Sequence, residues 1–262
     1  MSIYTPKELP AIAEQIGIDK ANYHWKKTFV LAFLAGAYIA MGATLAVYVS
    51  NGFTGISAEN PVLPKLLAGL TFPVGLMLVL LVGAELYTGN NAMLIPGCLN
   101  GKIKWHVVLK NWLLVFASNF VGAIFFSYLF VYLTGLFDHE PWQSAIIHTA
   151  ELKTTQPWHV IFLKGIGANW LVCLAVWLAL TAKSTSGKIA AIWWPVMVFV
   201  VLGYEHSIAN MFYIPMGIFE GAPVTWGAFV VNNLIPSALG NIVGGAVFVG
   251  GVYWYAYQKI GK

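Results

Sequence analysis

Six apolar runs, each long enough at about 20 residues to cross a bilayer, are separated by short polar stretches and take up most of the chain. That pattern leaves little room for any fold but a bundle of membrane-spanning helices. The charge content agrees. Only 9% of the 262 residues are charged and 59% are hydrophobic, with mean hydropathy +0.73, whereas a soluble domain of this size carries roughly 25% charged residues to keep its surface wet. Water-soluble enzymes, nucleic-acid binders and disordered segments are excluded on that ground. The net charge of +4 comes from lysines alone, with no arginine and no continuous basic stripe, so no nucleic-acid partner is expected. Cys98 and Cys173 both lie in apolar surroundings and read as small buried residues, not a disulfide framework. No cleaved leader is expected, because polar sequence follows Met1–Tyr4 directly.

The spans are expected at 28–49, from Lys65 to Leu86 and on to 92–99, 106–134, 158–182, from Ile189 to Leu202 and on from 207 towards 218, and 226–257. Residues 1–27 are set apart as an N-terminal amphipathic helix on the membrane surface, and 28–262 as one transmembrane channel domain. The stretch 137–156 reads as a polar loop. With both termini inside, eleven lysines fall on the inner side (residues 7, 20, 26, 27, 102, 104, 110, 183, 188, 259 and 262) and three, Lys65, Lys153 and Lys164, on the outer side. This positive-inside bias predicts a multi-pass protein of the inner (plasma) membrane with cytoplasmic termini.

The chain also repeats itself weakly. Residues 81–90, LVGAELYTGN, align without gaps on 201–210, VLGYEHSIAN, sharing Gly83/Gly203, Glu85/Glu205 and Asn90/Asn210. Asn119-Phe-Val-Gly122 aligns on Asn241-Ile-Val-Gly244, and Phe33-Leu34-x-Gly36 on Phe162-Leu163-x-Gly165. Two halves of three spans each, about 28–134 and 157–258, must enter the membrane with opposite topology. Inverted repeats of this kind place the site at the interface of the halves.

The second and fifth spans are interrupted at corresponding places, expected at Tyr87–Asn91 and at Gly203–His206. Broken helices at membrane depth line a cavity or are buried in protein, and half-helix N-termini favour anions. Glu85, Glu205 and His206 are ionisable groups deep in apolar sequence and are functional candidates by default. Each glutamate can instead support its helix break by accepting hydrogen bonds from free N–H groups. His206 stands at a break and has Leu86 at the matching position, so it has no symmetry mate. It reads as a hydrogen-bond or proton donor to a passing solute. Lys164 reads as snorkelling outward, and Asn169 and Asn210 as either interhelical contacts or pore groups.

Four segments, GAELYTGN at 83–90, AELK at 150–153, KGIGANWLVCLAVW at 164–177 and GYEHSIANMFYIPMGI at 203–218, resemble the formate/nitrite transporter family over nearly the whole chain. The resemblance implies an all-α, aquaporin-like fold of six spans with broken helices two and five. It implies a homopentamer with one pore per protomer, and passage of small monovalent anions: formate, nitrite or hydrosulfide. It further implies His206 as the pore histidine with Asn210 beside it, Thr88 in the loop that breaks span two, and Asn169 as the pore asparagine of span four. Lys153 would be the outer-vestibule lysine. Phe72, Val172 and Phe199 would form the outer constriction, and Leu76, Leu86 and Tyr87 the inner one, Tyr87 standing where the family commonly has Phe. A channel for these anions, pH-dependent and with some proton-coupled character through His206, is therefore the expected function; no enzymatic activity, cofactor or metal is expected. An aquaporin-type neutral-solute channel lacks its paired Asn-Pro-Ala signatures and arginine here, and a haem-bearing membrane subunit lacks paired histidines within its spans.

Overall fold

The computed structural model describes residues 4–260. Residues 1–3 of the expected surface helix and residues 261–262, with Lys262, lie outside that range. The described chain is helical and falls into two halves that share an order of five main helices, with two further short helices, Thr54–Glu59 and Ile95–Leu99, in the connections of the first half. In the first half these are α1 (Leu9–Ala21), α2 (Trp25–Asn51), α3 (Leu63–Gly83), α4 (Tyr87–Met93) and α5 (Trp105–Tyr132). In the second they are α6 (Trp142–Thr155), α7 (Trp158–Thr181), α8 (Thr185–Val201), α9 (Ser207–Phe219) and α10 (Trp226–Lys259). The order short helix, span, helix before the break, helix after the break, span recurs in both. Five helices are individually long and apolar enough to cross a membrane; the fifth of the six spans is shared between α8 and α9.

Packing between halves and within them rests on very close backbone approach. A side chain at Gly36 on α2 would meet the carbonyl of Asn119, and one at Gly122 on α5 the carbonyl of Phe33. The second half repeats this between α7 and α10, where Gly240 lies against the carbonyl of Phe162. Where no hydrophobic effect drives two helices together, small residues that let backbones meet supply the contact.

Two expectations need correction. The stretch 137–156 is no loop: it holds α6, because Ile146, Ala150 and Thr154 recur every four residues and are buried on one face. Trp142 anchors the start of α6 by stacking on Tyr48 at 4.7 Å and donating its indole N–H to the Tyr48 carbonyl at 2.9 Å. The first break lies three residues earlier than expected. The polar residues Tyr87–Asn91 are already helical, and the extended segment is Ala84–Leu86. The glycine, not the polar cluster, stops the helix. Gly83 takes φ +92° and the Ala84 N–H reaches back to the Val79 carbonyl at 2.8 Å. Gly203, at φ +65°, ends α8 in the same way: Tyr204 N bonds Phe199 O and Gly203 N bonds Val200 O, both at 3.0 Å. Left-handed glycine closures of this form satisfy the last carbonyls of a helix and release the chain in a new direction.

A polar layer between two cavities

After each break the chain runs extended for a few residues and then restarts as a helix whose first turn is buried. Each restart needs a partner for its free N–H groups. Asn119 supplies one from α5: its Oδ1 accepts from Tyr87 N at 3.0 Å, while its Nδ2 donates to the carbonyls of Ala32 (2.7 Å) and Glu85 (3.0 Å). Asn241 on α10 does the same in the second half, accepting from Ser207 N at 2.9 Å and donating to Gly165 O (2.8 Å) and Glu205 O (3.0 Å). Backbone ties complete the match: Glu85 N bonds Leu31 O at 3.2 Å, and Glu205 N bonds Lys164 O at 3.4 Å.

The carboxylates of Glu85 and Glu205 therefore bind side chains, not the free N–H groups at the breaks. Glu85 accepts from Asn90 Nδ2 at 2.9 Å and from Lys20 Nζ at 2.5 Å. Glu205 accepts from Asn210 Nδ2 at 2.7 Å, from Asn233 Nδ2 at 3.2 Å and from Lys153 Nζ at 3.0 Å to each oxygen. Both ion pairs are largely removed from water, with lysine side chains 16% exposed and the glutamates 5% and 2%. Lys20 was not singled out by the sequence reading. Its signal was available: it stands five residues before Trp25, the start of α2, as Lys153 stands five before Trp158, the start of α7.

The lysines sit in two separate cavities. One, of about 270 Å³, opens on the α6 side and is lined by Phe72, Lys153, Phe199, His206, Asn210 and Tyr213 among others. The other, of about 280 Å³, opens on the α1 side and includes Lys20, Leu76, Leu86, Asn90 and Val176 in its lining. The rings of Phe72 and Phe199 meet edge to face at 5.7 Å, and Phe199 stacks on the imidazole of His206, also at 5.7 Å. Val172 is buried at 1% exposure but lines neither cavity. Tyr87 also stands off both linings, its hydroxyl turned to the Ala238 carbonyl at 3.4 Å and its ring packed on Phe116.

Between the cavities lies a thin polar layer. His206 caps α9: its Nδ1 accepts from Ala209 N at 3.1 Å. In a neutral ring the proton therefore sits on Nε2, which faces Thr88 Oγ1 at 3.1 Å. Thr88 is fully buried at the start of α4. Asn169 holds the strand of contacts from α7, donating to Thr88 O at 3.1 Å, Asn91 Oδ1 at 3.2 Å and Asn241 O at 2.6 Å. The breaks and α7 thus bring His206, Thr88 and Asn169 together, while the amide of Asn210 turns instead to Glu205 and Asn233. Lys164 takes no part, bonding Gln156 Oε1 at 2.6 Å. Of this layer, His206 is the member that lines a cavity, the α6-side one; Thr88 and Asn169 are fully buried.

Known proteins resemble this chain in sequence and in fold. The sequence model of the family described as "Formate/nitrite transporter" matches residues 7–255. A "Probable formate transporter" from Methanothermobacter thermautotrophicus is 44% identical, over 97% of this chain and 96% of its own. The "Formate channel FocA" of Escherichia coli (strain K12) is 36% identical, over 97% and 94%. Among solved structures, an "FNT family ion channel" superposes with TM-score 0.84 at 35% identity over 96% of this chain and 98% of that one. A "Pentameric formate channel with formate bound" gives 0.77 at 34% identity over 90% and 98%. With matches of this extent in sequence and in fold, the chain belongs to the formate/nitrite transporter family.

Proposed function

We propose that the protein is a homopentameric channel of the inner membrane for small monovalent anions, formate first among them, with nitrite and hydrosulfide in the same class. Residues 28–262 form the channel domain, the α1 side faces the cytoplasm, and the N-terminal helix lies at the membrane surface over the inner mouth. The observation that carries this reading is the pairing of a lysine at each cavity with a shared layer of donors between them. Lys153 lines its cavity while its partner Glu205 does not, so an anion at that mouth meets the positive end of the ion pair, which raises the local anion concentration. Apolar slits at Phe72, Val172 and Phe199, and at Leu76, Leu86 and Tyr87, reject large or strongly hydrated ions, because an unpaired charge loses heavily on leaving water. Between them His206 and Thr88 replace part of the lost hydration.

The capping of His206 bears on proton coupling. With Nδ1 held by Ala209 N, the neutral ring gives an anion only a hydrogen bond, through Nε2 and the Thr88 hydroxyl. Handing over a proton requires the imidazolium, and a proton on Nδ1 displaces the Ala209 N–H. Acid thus acts on the pore by loosening the first turn of α9. Proton transfer to a weak-acid anion removes its charge in the slit, which favours formate, nitrite and hydrosulfide over chloride.

Proteoliposome flux of each anion against external pH tests the reading. His206→Phe should assemble normally, lose most formate flux and lose acceleration in acid. His206→Asn should keep some conductance through its amide donor, without pH coupling. A wild-type pH profile in His206→Phe would remove the histidine from proton handling. Lys153→Ala should reduce flux more at low than at high ionic strength, since salt screens the attraction; equal flux at both would remove Lys153 from anion capture.

A further inference from the structure

A third cavity, of about 410 Å³, lies on the α1 side, adjoining the pore cavity at Lys20 and Tyr23, between α1, the start of α2 and the first three turns of α5. Its polar lining is Lys20, His24, Thr28, His106, Lys110 and Asn111, and it contains no carboxylate. Lys20 is neutralised by Glu85, whereas Lys110 has no acidic partner among the described residues. Asn111 is 8% exposed and its Oδ1 accepts from Asn90 at 3.0 Å, while its Nδ2 donates to no group among the described residues and is left open to the cavity that Asn111 lines.

The inverted repeat supplies a control. The corresponding cavity of the second half, between α6 and the start of α10, is of similar kind at about 510 Å³, but its lining has no lysine and includes Glu151. The asparagine that matches Asn111, Asn233, does not line that cavity and is satisfied: its Nδ2 donates to Lys153 O at 2.8 Å and to Glu205 Oε2 at 3.2 Å. Cationic lining and a free donor therefore occur together in only one of two equivalent places. Packing would explain a cavity in both, but not this difference.

We propose that the α1-side cavity binds a phosphate group, carried by an anionic lipid headgroup or by free phosphate. The donors fit a ligand with several acceptor oxygens: the Lys110 ammonium, the two imidazoles, the Thr28 hydroxyl and the Asn111 amide. Trp25 and Leu114 give the same cavity an apolar side, and Trp105, Leu109 and Leu113 continue it along an exposed stripe of α5, 55%, 53% and 71% open. Lys20 lines both this cavity and the pore cavity, and Asn111 is linked through Asn90 to Glu85, so a bound phosphate touches the same ion pair from behind. The binding site stands regardless of which solute the pore carries.

The test uses the full-length protein in neutral detergent, with binding as the readout. Phosphatidylglycerol is compared with phosphatidylcholine by native mass spectrometry, and inorganic phosphate is titrated calorimetrically against chloride at matched ionic strength. Wild type should retain phosphatidylglycerol, phosphate or both above the controls. Lys110→Gln with His106→Gln should weaken that binding by about tenfold, in line with loss of charge-assisted hydrogen bonds. Lys110→Arg should keep it, and Glu151→Gln in the opposite cavity should leave it unchanged. Retention of the lipid alone assigns the phosphate to a headgroup; tight binding of inorganic phosphate assigns it to the free ion. No retention of either above the controls, equal binding by the double variant, or equal displacement by chloride would overturn the site.

Discussion

The two halves agree where the chain is held and differ where a solute would pass. Asn119 and Asn241 cap the restarted helices with near-identical geometry, Gly83 and Gly203 end the helices before them, and Lys20–Glu85 answers Lys153–Glu205. At the break itself the match fails: Leu86 stands opposite His206, so only one half brings an imidazole to the centre. The ion pairs differ in degree too. Glu205 receives three partners and both oxygens of its carboxylate meet Lys153, whereas Glu85 receives two partners. A scaffold built by repetition keeps its supports in duplicate, while the imidazole at its centre occurs once.

The largest test of this comparison is to unpair the buried lysines. Glu205→Leu should lower stability by about 3–5 kcal/mol, the usual loss when one member of a buried ion pair is removed. Glu85→Leu should lower it less, since fewer contacts are lost. Joint replacement of Lys153 and Glu205 by Met and Leu should recover much of the deficit. Thermal unfolding in detergent measures all three, and a larger loss for Glu85→Leu would reverse the ranking drawn here. Next come the caps. Asn119→Ala and Asn241→Ala should each cost about 2 kcal/mol, from one capping acceptor and two donors to buried carbonyls. Each should also depress flux in an assembled protein, and the two losses should agree. A marked inequality would show that the capped breaks are not equivalent supports. The smallest effect is expected at the glycines. No neighbouring atom lies within 4 Å of a Cβ placed on Gly83 or Gly203. Gly83→Ala and Gly203→Ala should therefore differ from wild type only by the strain of a left-handed alanine, roughly 1–2 kcal/mol. A much larger loss at either would mean that the extended segment after it is misplaced.

Much of this was legible from the chain. Apolar runs, lysine asymmetry and the Gly-x-Glu pattern are read directly, because the bilayer imposes length and composition on every span. Three things were less so. The helix α6 hid in a segment that looks polar, its buried positions only four residues apart amid Gln143, His148 and Glu151. The first break was misplaced onto Tyr87–Asn91, since polar residues draw attention while the glycine before them does the turning. Asn119 and Asn241 were visible as repeat markers but not as caps, because capping here joins residues 32 and 34 positions apart. Lys20 was counted only as an inner charge; its role needed the spacing to Trp25 to be compared with that of Lys153 to Trp158.

The two cavities have an electrical consequence. Each admits solvent from its own side towards the buried layer of Phe72, Phe199, His206 and Thr88 on one face and Leu76 and Leu86 on the other. A membrane potential therefore falls mainly across that layer rather than evenly over the bilayer. An ion stepping across it traverses most of the field in one move, worth roughly 2.3 kcal/mol per charge for each 100 mV. The same step by a neutral acid is blind to voltage. Steepness of flux against applied potential thus measures the charge on whatever passes His206, and a slope that flattens in acid would date the arrival of the proton to a point before the layer, not after it.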